Sequence, residues 1–213
     1  MSKSKLYRSI LLVMIVCTTV TIWIYKIMNE KVPYVDQLTR GGVDLVASTK
    51  IYDVARFITN FGSESFLIPF TVVIGLVIWF LYKDWLPMLV IWGGTLGSHL
   101  FNMFVKQLVA RERPRIYVEA NAEGFSFPSG HSMITMVCYG LVMYFIVKKI
   151  ASMKLSMIVQ IGFSLLIFLI GISRYIINVH YLTDVLTGFM VGYLLLISFI
   201  HLFEMLQKQR KHS

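Results

Sequence analysis

Six long apolar runs separated by short polar stretches dominate the chain, at about Ile10–Ile27, Phe66–Tyr82, Leu86–Phe104, Ser132–Val147, Leu155–Ile172 and Tyr181–Phe203. Each approaches the roughly 20 residues that cross a bilayer as a helix. The pattern predicts an all-α fold: a polytopic membrane bundle of six transmembrane helices, forming one domain over residues 1–213. The stretch 28–63 breaks the pattern. There Ile51, Val54, Ile58 and Phe61 recur at spacings of three, four and three, while Asp53, Arg56 and Asn60 fall elsewhere. This is the signature of an amphipathic helix lying on the outer membrane surface. Such a segment could guide a lipid head group or simply cover the bundle. Gly93 and Gly97, and again Gly188 and Gly192, stand four apart, as glycines do where helices approach closely. Their expected use is packing inside the monomer.

Composition supports the membrane reading. Of the 213 residues, 57% are hydrophobic, and the mean hydropathy is +0.71, far from a soluble domain. The formal net charge is +9. In a membrane protein that excess fits basic cytoplasmic loops and attraction to anionic lipid. No block of basic and aromatic residues points to nucleic acid. Cys17 and Cys138 both fall inside apolar runs, so a disulfide framework is not expected. Lys3, Lys5 and Arg8 precede the first run, but no small-residue cleavage site follows it, so it reads as an uncleaved first span.

Charge near the span ends sets the orientation. An N-terminus inside places Lys3, Lys5, Arg8, Lys83, Lys148, Lys149, Lys154, Lys208, Arg210 and Lys211 in the cytoplasm. Lys26, Lys31, Arg40, Lys50 and Arg56 fall at or within the stretch 28–63. The remaining cations, Lys106, Arg111, Arg113, Arg115 and Arg174, cluster near stretches suited to an anion. With those set aside the bias is inward, and both termini are expected in the cytoplasm.

Three stretches then share the outer side. The first ends the third span: Lys106 and Arg113 are seven residues apart, two helical turns, before Pro114. Two cations there suit an anion, whereas Arg111 and Arg115 are expected only to snorkel to the interface. The second is Pro128-Ser129-Gly130-His131. Ser129 suits an N-cap, Gly130 leaves room for a ligand, and the N–H groups of a helix start bind phosphate. The third is Ser173-Arg174 followed by His180 and Asp184. If the chain is helical from His180, these two lie on one face, and a carboxylate would hold one imidazole nitrogen as N–H and leave the other free.

Together these residues supply three cations, an oxyanion site and two histidines, one with a carboxylate. Phosphoryl transfer mostly requires positioning and charge neutralisation, and one histidine can attack phosphorus while the other protonates the leaving oxygen. A metal held by His131, His180 and Asp184 is disfavoured, since three nearby cations would repel a divalent ion. Nothing like a nucleophile elbow surrounds Ser129. His99 is expected to be a satisfied core histidine, and His201 and His212 receive no role.

The chain resembles the type 2 phosphatidic acid phosphatases, also called lipid phosphate phosphatases. Their signature is Lys, six residues, Arg-Pro; then Pro-Ser-Gly-His; then Ser-Arg, five residues, His, three residues, Asp. Lys106, Arg113, Pro114; Pro128, Ser129, Gly130, His131; and Ser173, Arg174, His180, Asp184 match every position. Size and layout are most similar to bacterial members acting on phosphatidylglycerol phosphate or undecaprenyl diphosphate. The resemblance implies that His180 is the nucleophile that becomes a phosphohistidine, that Asp184 orients it, and that His131 is the general acid. It implies that Lys106, Arg113, Ser129, Gly130 and Arg174 hold the phosphate. It further implies a metal-independent, cofactor-free hydrolase with its site on the extracytoplasmic side. The expected partners are the bilayer and a membrane lipid phosphate. Phosphatidylglycerol phosphate is the first expected substrate, undecaprenyl diphosphate the second, with a broad phosphatidic acid phosphatase as a further alternative. A non-catalytic lipid-phosphate binding or transport protein is the rival class, but such transporters show paired broken helices in two related halves, and no such repeat is present. Head-group contacts beyond the phosphate are expected in 28–63 and 115–127, where the sequence carries no readable code. Two titrating histidines predict a bell-shaped pH–rate profile.

Overall fold

A computed structural model describes residues 3–46, 49–114 and 124–210. Among the described residues the helices run α1 Lys3–Met28, α2 Tyr34–Val46, α3 Lys50–Thr59, α4 Glu64–Tyr82, α5 Trp85–Val109, α6 Gly130–Lys149, α7 Met153–Ile176 and α8 Leu182–Arg210. Six of these, α1 and α4 to α8, are long and apolar enough to cross a membrane. They correspond one to one with the predicted spans. Several run past the apolar stretch, so that Lys106, Arg174 and Lys208 ride on helix ends. Long cationic side chains allow this, because their stems stay apolar while their heads reach the interface. Arg115, Lys211 and His212 lie outside the described residues, as does most of 115–127.

Local signals explain where the helices break. Lys83 adopts a left-handed conformation, φ 53°, closing α4 with its N–H on Trp79 O. Asp84 then caps α5, its carboxylate accepting from Leu86 N at 3.1 Å. A left-handed Ala110 ends α5 in the same way. Ser129 opens α6, accepting from Ser132 N at 3.4 Å. Each cap satisfies a backbone group that a helix end leaves unpaired.

The stretch 28–63 holds two α-helices where the periodicity predicted one. In α3 the buried face is Tyr52, Ala55 and Thr59, and Ile51, Val54 and Phe57 are exposed. One face of α3 therefore packs on protein, with Ile58 also turned toward the core, while Ile51, Val54 and Phe57 stay available to lipid. Tyr52 and Ala55 form a small core with Ile177 and Val179, in the turn between α7 and α8.

The bundle is organised around α6, whose residues from Ser132 to Val142 are nearly all buried. One core joins α4, α5, α6 and α8 through Ile78, Ile91, Leu141, Phe145 and Phe203; another joins α4, α6 and α7 through Leu67, Tyr139 and Ile170. The glycines of α8 let it approach the backbone of α6. A Cβ on Gly188 would stand 2.7 Å from Ser129 O, and one on Gly192 would stand 2.8 Å from Met133 O. On α5 the close contact is at Gly94, 2.6 Å from Leu141, rather than at Gly93, which faces open space.

Candidate active site

The turn carrying His180 is fixed from both sides. Arg174 O accepts from Val179 N at 3.2 Å and from His180 N at 3.3 Å. Asn178 takes φ 63°, a conformation that asparagine tolerates better than most residues. α8 starts only at Leu182, so His180 works from a turn and not from a helix face. Asp184, in the third position of α8, instead reaches back: its Oδ2 accepts from Tyr181 N at 2.8 Å, the acidic half of a capping box. The same oxygen lies 3.5 Å from His180 Nδ1. Local capping thus delivers the carboxylate to the imidazole.

On its other side His180 meets Arg113, whose Nη1 lies 3.2 Å from Nε2 and donates to Val179 O at 2.9 Å. A guanidinium only donates, so this contact assigns the lone pair to Nε2 and the ring proton to Nδ1, facing Asp184. His180 is 2% exposed. Burial holds its pKa at about 3, far below a free imidazole, with Arg174 and Arg113 acting in the same direction and Asp184 opposing. Burial also lowers the Arg113 pKa, while the charge of Asp184 supports its charged form.

Lys106, Arg113, Gly130, His131, Arg174 and His180 line one cavity of about 940 Å³. Three predicted cations, both predicted histidines and the start of α6 therefore converge. Arg174 donates from Nη1 to Thr59 Oγ1 at 2.9 Å, and its buried Nε has no partner among the described residues. Lys106 Nζ donates to Phe125 O. Gly62 lies over His131, where a Cβ would be 2.8 Å from Cδ2. Beyond the cations the cavity extends along α4 and α5, past Leu67, Ile68, Met103 and Leu96, as far as Thr71 and Trp92.

Two predicted phosphate ligands are arranged differently from each other. Gly130 lines the cavity. Ser129 is fully buried behind it: its hydroxyl accepts from the Ser132 hydroxyl at 3.0 Å, and its N–H donates to Asp184 O at 3.0 Å. Ser129 thereby ties the start of α6 to the start of α8. His99 is no core residue; it lines the cavity with Nδ1 3.7 Å from Glu64 Oε1.

Three residues at the site escaped the sequence reading. Arg111 does not snorkel. Its side chain is 8% exposed, with Nη1 2.6 Å from Asp184 Oδ1 and Nη2 2.8 Å from Asp36 Oδ2. It also stacks on the Tyr181 ring, 3.7 Å from the centroid. Asp36, near the start of α2, is the second. Ser126 is the third: its hydroxyl donates to Asp184 Oδ2. Pro33 followed by an acid three residues later was a readable helix start, but nothing local says what Asp36 pairs with.

The comparisons with known proteins agree with this architecture. Residues 87–208 match the PAP2 superfamily. Phosphatidylglycerophosphatase B of Bacillus subtilis (strain 168) is 36% identical over 172 residues, covering 79% of this chain and 83% of that protein. Dolichyldiphosphatase of Saccharomyces cerevisiae is 26% identical over 150 residues, covering 67% of this chain and 62% of its own. The crystal structure of a transmembrane PAP2-type phosphatidylglycerolphosphate phosphatase from Bacillus subtilis superposes with a TM-score of 0.77. It covers 88% of this chain and 95% of that one at 30% identity. With the match taking in more than half of its residues, and with a relative aligned over most of its length, this chain belongs to the PAP2 superfamily.

Proposed function

We propose that the chain is an integral-membrane phosphatase that releases phosphate from a lipid phosphate or diphosphate without a metal, through a phosphohistidine at His180. The observation that carries this reading is the orientation of His180. Asp184 faces Nδ1, and Nε2 turns its lone pair toward Arg113 in a cavity that three cations share. Nε2 attacks phosphorus as the bond to the lipid oxygen breaks. Protonated His131 gives its proton to the leaving oxygen. His131 then takes a proton from the water that cleaves the N–P bond, which restores both histidines. Lys106, Arg113, Arg174 and the amides at Gly130 neutralise the equatorial oxygens. The lone buried Nε of Arg174 supports an anion there. Ser129 acts from behind by fixing the start of α6.

A lipid substrate is supported by the cavity's apolar extension between α4 and α5, where a chain attached to the phosphate can lie. Phosphatidylglycerol phosphate is the first substrate, in keeping with the name of the Bacillus relative. The yeast relative, named for a polyprenyl diphosphate, favours undecaprenyl diphosphate as the second. The site faces the extracytoplasmic side and both termini lie in the cytoplasm.

The test is phosphate release by detergent-purified protein in the presence of a chelator. The panel holds phosphatidylglycerol phosphate, phosphatidic acid, undecaprenyl diphosphate and a soluble phosphate ester. Chelator-resistant turnover is expected, and His180→Ala should lower it by a factor of about a thousand or more. Near-full activity in that variant removes His180 as nucleophile. No turnover of any lipid favours a binding protein.

A further inference from the structure

Asp184 does not meet His180 alone. Its Oδ1 accepts from Arg111, and Arg111 in turn accepts the company of a second carboxylate, Asp36. Asp36 is 2% exposed and comes from α2, a helix outside the matched region 87–208. It grips the first turn of α8. Asp36 Oδ1 accepts from Thr183 N at 2.9 Å, and Oδ2 accepts from the Thr183 hydroxyl at 2.6 Å. That hydroxyl also accepts from Arg111 Nη1 at 2.9 Å. The contact with Thr183 N satisfies a backbone donor that a helix start leaves open, with negative charge at the positive end of the helix dipole. α2 is held in place besides by the Tyr175 hydroxyl on Thr39 O.

Charge gives this arrangement a purpose. When Nε2 bonds to phosphorus, the imidazole becomes cationic, and Asp184 must stabilise it. A guanidinium on Asp184 by itself would offset much of that carboxylate's charge. A second carboxylate on the far side of the same guanidinium returns the group Asp36–Arg111–Asp184 to a net charge of −1 facing His180. The effect is large because all three groups are buried, where charge is poorly screened.

We infer that Asp36 and Arg111 are positioning residues for the phosphoryl transfer: through Asp184 they orient His180 and stabilise its cationic phosphorylated form. The inference rests on the phosphatase reading above. Among the described residues the partners of the Asp36 carboxylate are Arg111 and Thr183, neither of which lines the cavity, so its loss should act on turnover and not on substrate binding.

The experiment is a double-mutant cycle with Asp36→Asn and Asp184→Asn, using phosphatidylglycerol phosphate in mixed micelles and purified full-length protein. Asp36→Asn should lower kcat by about 10- to 100-fold, the range seen when a partner behind an active-site ligand is removed, with KM within about twofold. In the Asp184→Asn background, followed by single turnover with enzyme in excess, Asp36→Asn should cost nothing further. A positioning residue acts only through its partner, whereas a general structural defect multiplies with the second loss. If Asp36→Asn does not elute as a monodisperse detergent complex, Arg111→Lys carries the same cycle, since one ammonium cannot hold both carboxylates as the planar fork does. Multiplicative losses, or an Asp36→Asn protein with wild-type kcat, overturn the inference and leave the phosphatase reading intact. An undiminished Asp184→Asn likewise overturns the inference, whereas a wild-type protein without turnover overturns the reading itself.

Discussion

His180 is almost fully enclosed, and that enclosure decides how it responds to pH. Its folded pKa of about 3 lies below the free value of 6.5. In the interval between them the folded protein binds fewer protons than the unfolded chain, so stability rises with pH there, by at most ~1.4 kcal/mol per unit for one group. The contribution is complete above the unfolded value and is lost as pH falls through about 3. Thermal melting in detergent at pH 7 and pH 4 should therefore show a smaller loss for His180→Gln than for the wild type. Equal losses would mean that His180 titrates in the ordinary range. The same burial changes one expectation drawn from the sequence, since His180 supplies no limb to a rate profile between about pH 5 and 8. Fixed spacings made Lys106, Arg113, His131, Arg174, His180 and Asp184 legible in the chain. Arg111, Ser126 and Asp36 were not, because their partners lie far along the sequence: 75 residues separate Arg111 from Asp36 and 58 separate Ser126 from Asp184. A buried ion pair of that range leaves no local pattern, and beside Arg113 the side chain of Arg111 looked like one more interfacial cation.

The two halves of the site ride on different helices, His131 at the start of α6 and Asp184 at the start of α8, so the α6–α8 contact sets their relation. At Gly188 that contact is backbone against backbone, with the carbonyl of Ser129 and the Cβ of Ser132 both 2.7 Å from where a Cβ would be built. Backbone cannot turn aside as a side chain can. Gly188→Val should therefore destabilise the protein by about 1–3 kcal/mol, toward the upper end, and depress phosphate release as α8 shifts. Gly93→Ala, facing open space, is the control and should leave both unchanged. A Gly188→Val protein with wild-type melting and activity would show that the helices have slack there. The pairing of Gly188 with Gly192 was visible in the sequence, but which of Gly93 and Gly94 turns inward was not, since adjacent residues on one apolar helix differ only by rotation. α2 was missed for a different reason. Gly41 and Gly42 interrupt it, and glycine lowers helix propensity by about 1 kcal/mol per residue. The helix is held by tertiary contacts at Asp36 and Tyr175, which no local pattern records.

Six spans return the chain to the side from which it started, and the two ends of the bundle differ in chemistry. At one end Arg210 pairs with Asp84 at 2.8 Å, tying the end of α8 to the turn between α4 and α5. Around it Lys83 sits over Phe80, Lys148 over Tyr144, Lys149 over Tyr82 and Arg210 over Trp85. Aromatic rings carrying cations form the belt expected at a membrane–water interface, and basic residues favour the cytoplasmic one. The cavity lies toward the other end, where Lys106, Arg113 and Arg174 line it. That division explains why a raw count of basic residues leaves the orientation undecided, and it motivates the proposal that the aromatic, basic end is the cytoplasmic one. The prediction is made with single cysteines in a chain whose Cys17 and Cys138 have been replaced. In intact cells a membrane-impermeant maleimide should label Asn60→Cys, and it should label Lys154→Cys only after permeabilisation. The reverse pattern would put the phosphate cradle in the cytoplasm. The expected pattern commits the protein to lipid head groups of the outer leaflet, because a cavity bounded by α4 and α5 is reached by a lipid whose phosphate already lies at that surface.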